Sequence, residues 1–198
     1  MKKKITYAVL ALVTVSSGIY ITLTYNHGKA TGKVQVVQAA PKAQKSTYVI
    51  CNAELAKAAQ SVGEITDEQT LNFRMMEMSF QKITFKGNNL RIPGTRNPNR
   101  VQMTKENIQY IKNNLHVIND ERRPDYESIL NEWYDGNFKA AVEDFYEIQD
   151  LRRGPRSEPR TKSEFDPVLK TDSDEKEYIL HFFGQEGLDI HNKQWDKL

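Results

Sequence analysis

Tyr126-Glu127-Ser128-Ile129-Leu130-Asn131-Glu132-Trp133-Tyr134-Asp135-Gly136-Asn137-Phe138 is followed by apolar residues at Ala141/Val142, Phe145 and Ile148. Tyr126, Ile129, Leu130 and Trp133 recur at three and four positions, which is the spacing of one helix face. Gly136 stops that helix as the residue just past its end, where positive φ is needed and glycine takes it cheaply. The series from Phe138 to Ile148 then resumes helical spacing. Two short helices meeting at a glycine predict a small all-α bundle.

Working outward, the same pattern continues on both sides. Thr104 is placed to cap a helix with Ile108, Ile111, Leu115 and Ile118 on one stripe, and Arg122-Arg123-Pro124 breaks it before Asp125 opens the next. Thr66 with Gln69 has the form of a capping box. Behind it, Leu71, Met75, Met78 and Lys82, with Met76, Ser79/Phe80 and Ile83, keep helical spacing. A weaker helix is expected over 53–60. Ser173-Asp174-Glu175 starts a final helix carrying Ile179, Phe182 and Phe183, with Gly184 ending it. Two long polar loops, rich in Gly, Pro and Asn and read as mobile, are expected near 86–102 and 152–172. No segment alternates convincingly as a strand, and no internal repeat is visible.

Charge divides the chain. Residues 1–47 hold seven Lys and no Asp, Glu or Arg, a net of +7, whereas 48–198 hold 21 basic and 26 acidic residues, a net of −5. Lys2, Lys3 and Lys4 precede Ile5–Tyr25, a run without charge. As a helix that run is about 31 Å long, close to the hydrocarbon thickness of a bilayer. A cleaved signal peptide with its apolar core over 5–15 is the rival reading, but the apolar pattern resumes at Ile19, Ile21 and Leu23. The expected organisation is therefore a tail and transmembrane anchor over 1–25, a flexible basic linker over 26–50, and a helical domain over 51–198. The compact lysine cluster in the short tail favours the N-terminus inside, which puts the domain outside the cytoplasm. One cysteine, Cys51, excludes an internal disulfide framework and multi-thiolate zinc sites.

Three segments carry a resemblance: Met75-Met76-Glu77-Met78-Ser79-Phe80-Gln81-Lys82, Met103-Thr104-Lys105-Glu106-Asn107-Ile108, and the Tyr126–Phe138 stretch. In this order they resemble an uncharacterised family of small, membrane-anchored proteins from spore-forming Gram-positive bacteria, over roughly 74–183. The Trp133–Gly136–Phe138 junction is its most specific piece. The resemblance implies an architecture and no activity. In the family pattern histidines stand at the places of Met76 and Phe80, and a His-Asn pair at that of Phe145-Tyr146. A metal or proton-handling site there, if relatives have one, is expected to be lost in this chain.

Chemistry-bearing motifs are sparse. His27, His116, His181 and His191 are scattered without ligand spacing, and a site from His181, Asp189 and His191 competes with a plain solvated tail. Cys51 has no neighbouring histidine to activate it. Glu143, Asp144 and Glu147 offer an acid–base pair for an envelope hydrolase, against the ordinary reading of a wet helix face. The Met75, Met76, Met78 and Phe80 stripe reads as core before it reads as a pliant binding surface. Arg152, Arg153, Arg156 and Arg160, with Lys162, form the one basic cluster in an acidic domain. Their guanidinium forks suit an anionic polymer or an acidic envelope protein, while the net negative charge around them disfavours nucleic acid. No cofactor, catalytic residue or metal ligand is expected. The functional expectation is a membrane-tethered, extracytoplasmic binding module that touches the cell membrane through Ile5–Tyr25; a structural subunit of a membrane complex is the alternative beside the hydrolase.

Overall fold

The computed structural model describes residues 49–86, 88–91, 99–154 and 166–195, which belong to the compact unit Val49–Leu198. The expected anchor over 5–25 and most of the expected linker lie outside the described residues. Among the described residues no helix is long and apolar enough to cross a membrane.

Among the described residues six α-helices follow in order: α1 (Asn52–Val62), α2 (Glu68–Ser79), α3 (Lys105–Asn113), α4 (Arg123–Tyr134), α5 (Ala141–Arg153) and α6 (Asp172–Trp195). The fold is mostly helical, as the periodicity predicts, with one addition. Ile83–Thr84 (β1) pairs antiparallel with Val168–Leu169 (β2), Ile83 opposite Leu169 and Thr84 opposite Val168. Two residues per strand cannot display an alternation, so this pairing leaves no periodic signal in the sequence. It also ends α2 four residues earlier than the stripe suggests, and Ile83 is buried from a strand instead of a helix.

Local chemistry sets the helix ends. The α2 cap is Asp67, whose carboxylate accepts the Thr70 amide at 2.7 Å, one position after the expected Thr66. That amide holds the Asp67 carboxyl below its usual range. Thr104 caps α3 as predicted, accepting the Asn107 amide at 3.2 Å. The stripe Ile108, Ile111, Leu115 and Ile118 is wholly buried, although α3 ends at Asn113 and Leu115–Val117 form a 3-10 turn. Pro124 sits in the first turn of α4, where its missing N–H removes no helical bond.

The α4–α5 corner explains the most specific part of the sequence. Gly136 has φ +79°. Its N–H donates to the Trp133 carbonyl at 3.0 Å and the Asn137 N–H to the Glu132 carbonyl at 2.9 Å, the paired bonds of a Schellman cap. The Trp133 indole N–H then donates to Asp144 Oδ2 at 2.8 Å, fixing α4 against α5.

Gly184 ends the first part of α6, as predicted, with φ +67° and ψ −166°. The remainder is not a solvated tail, however, since helix resumes and runs to Trp195. Its Gly187 carbonyl accepts from Gln102 at 2.6 Å, Gln194 Oε1 accepts the Lys105 amide at 2.8 Å, and the Trp195 indole donates to the Met103 carbonyl at 3.2 Å. A Cβ at Gly187 would fall 2.4 Å from that of Phe183, so the close return needs glycine there.

Helix α1 packs on α3, α2 on α5 and α3 on α4. One buried cluster gathers Met75, Met78, Ile108, Tyr126, Trp133 and Trp195. A second gathers Phe80, Ile83, Ala141, Phe145 and Tyr178. The methionine stripe is therefore core. Met76, Phe80, Phe145 and Tyr146, the positions that carry histidines or His-Asn in the resembled pattern, meet in the second cluster, with Phe80 and Phe145 ring centroids 5.8 Å apart.

Candidate functional site

The predicted basic loop is partly helix. Arg152 and Arg153 occupy the last turn of α5, where positive charge suits the exposed carbonyl end of the helix. Arg153 is exposed, and the half-buried Arg152 guanidinium lies 5.4 Å from the centroid of the Phe73 ring on α2. Phe73 itself is 40 % exposed, so cation and ring form an open surface. Arg152 Nε is buried and, among the described residues, has no hydrogen-bond partner. Arg156 and Arg160 lie outside the described residues.

The three α5 carboxylates do not form one wet face. Glu143 and Glu147 are exposed, whereas Asp144 is buried. Burial pushes the Asp144 carboxyl up to about 6, opposed by the Trp133 hydrogen bond and reinforced by the nearby charges of Glu132, Glu147 and Glu143. Its geometry is that of a latch between helices, since Oδ2 holds the Trp133 indole.

The histidines also separate. His116 and His181 are exposed, and His191 is only 5 % exposed. Among the described residues no group of three His, Cys, Asp or Glu is arranged to hold a metal ion. Cys51 is a free, exposed thiol.

A cavity of about 320 Å³ opens where α6 folds back, and sequence reasoning missed it. Lys82 lines it from the turn after α2, and Gly136 and Phe138 from the α4–α5 corner. Helix α6 contributes Asp172, Glu175 and Lys176 from its first turns and His191 and Trp195 from its far end. In a straight helix Glu175 and His191 would stand about 24 Å apart. The break at Gly184 instead brings His191 Nδ1 to 3.7 Å from Glu175 Oε1.

Glu175 organises the cavity wall. Its Oε1 receives Lys82 Nζ at 2.6 Å and Gln81 Nε2 at 2.9 Å. The Lys82 ammonium also lies 3.8 Å from the centroid of the Phe138 ring, which in turn meets Trp195 edge-on at 5.2 Å. Beside this wall, Lys170 donates to the Phe80 and Ile83 carbonyls at 2.6 and 2.5 Å. Burial pushes its amine down to about 7 against the pull of Glu175. The one available signal was Trp195 four residues after His191, a buried-face spacing within what reads as a polar tail.

Residues 75–164 match the model of a protein family of unknown function, DUF6241. The matched stretch begins inside α2 and takes in α3, the Trp133–Gly136–Phe138 corner and α5, so it agrees with the resemblance to an uncharacterised family. No curated protein and no solved structure matches the chain.

Proposed function

We propose that the chain is a membrane-tethered, extracytoplasmic binding module of the kind found in small anchored proteins of spore-forming Gram-positive bacteria. The uncharged run Ile5–Tyr25 behind three lysines supports the tether, and the small, polar, basic composition after it supports a linker. Such a tether confines the domain to the membrane surface and raises its effective concentration toward envelope partners.

The observation that carries the binding reading is the end of α5, where Arg152 rests on the exposed Phe73 ring and Arg153 points to solvent. The sequence follows these with Arg156, Arg160 and Lys162. Guanidinium groups suit phosphate or carboxylate, so the partner is an anionic envelope polymer or an acidic envelope protein. A carboxylate hydrolase is less well supported, since Glu143 is exposed while Asp144 is buried and committed to Trp133.

The test is co-sedimentation of the full-length chain with isolated cell envelopes. Replacing Arg152, Arg153, Arg156 and Arg160 together by Ala should lower capture about tenfold or more, because several charge-assisted bonds are lost at once. Capture equal to that of the unaltered chain would discard this surface.

A further inference from the structure

We propose that the cavity between the α4–α5 corner and the folded-back α6 binds a small zwitterion, an α-amino acid with an apolar side chain. This is independent of the arginine surface and uses none of its residues.

The volume of about 320 Å³ lies at the lower end of the range for small-molecule pockets, enough for a ligand of this size. Its open valences are acceptors. All three contacts to Glu175 converge on Oε1, and among the described residues Oε2 has none. The Asp172 carboxylate, on the same wall, likewise makes no hydrogen bond or ion pair among the described residues. Two carboxylates facing one space are a receptor for an ammonium group.

The charge around them determines the rest of the ligand. Lys82 and Lys176 line the same cavity, so Asp172 and Glu175 are balanced and the wall is neutral overall without His191. A bare amine would add an uncompensated charge beside two ammonium groups in a partly buried space, which is unfavourable. A ligand whose own carboxylate faces the lysines avoids that cost. Phe138, which carries the Lys82 ammonium over its ring, and Trp195, nearly perpendicular at 85°, offer an aromatic corner for the side chain of the ligand.

The full-length chain should bind L-phenylalanine or L-leucine at millimolar concentration or below, read as a change in tryptophan fluorescence and as heat on titration. Phenethylamine, which lacks the carboxylate, and N-acetyl-phenylalanine, which lacks the ammonium, should each bind about tenfold more weakly or not at all. Asp172→Asn, a change of charge with little change of shape at an exposed residue, should weaken binding of the amino acid by about the same factor. Equal binding of phenylalanine, phenethylamine and N-acetyl-phenylalanine, no binding of either amino acid, or an unchanged Asp172→Asn variant would each overturn the assignment.

Discussion

Asp144 is the residue whose environment departs furthest from a surface carboxylate. Its acid form is favoured in the folded chain, because the carboxyl titrates near 6 there against 3.8 in an exposed setting. The sign follows from proton linkage: between those values the folded chain binds more protons than the unfolded one, so stability falls as pH rises through that window. The contribution is complete below about pH 4 and is lost as pH passes about 6. Asp144→Asn keeps an oxygen acceptor for the Trp133 indole and removes the charge. The variant should need more urea to unfold than the unaltered chain at pH 7.5, with that margin gone at pH 4. A margin independent of pH would mean that Asp144 is not the titrating group.

At the scale of elements, the α4–α5 corner bears the organisation of the domain. It depends on one glycine in left-handed geometry, two capping bonds and the Trp133–Asp144 bond. Gly136→Ala should cost about 1–2 kcal/mol of stability, the penalty for placing a Cβ in that conformation, measured by urea unfolding. A cost near zero would show that the corner tolerates another geometry.

Much of this was legible, because Tyr126, Ile129, Leu130 and Trp133 repeat at helical spacing and Gly136 marks its own positive φ. Pro124 was legible as a boundary and misleading by two positions, since the first turn of a helix accepts proline. The β1–β2 pair was not legible, because two residues have no period and the partners are 84 positions apart in the register Thr84–Val168. The cavity was illegible for a related reason. Lys82, Phe138, Glu175 and His191 come together only through the reversal at Gly184, and a glycine that ends a helix does not say where the chain goes next. Arg152 and Arg153 read as loop because the prolines and glycine that follow them outweigh one last helical turn.

For the whole molecule, the proposed function rests on a division of labour: residues 1–47 carry +7 and the uncharged run, and the rest carries −5 with the folded unit. The domain supplies its own reporter of topology, because Cys51 is the chain's one thiol and it is exposed just before α1. Its backbone amide is held by the Glu54 carboxylate at 2.8 Å, and its side chain reaches solvent without unfolding. Membrane-impermeant maleimide added to intact cells therefore reports which side of the membrane the domain occupies. A domain tethered on the outer face requires labelling of Cys51 on intact cells, with the labelled chain remaining in the membrane fraction. Labelling that appears only after lysis, or labelled protein found in the medium, would contradict a domain tethered on the outer face.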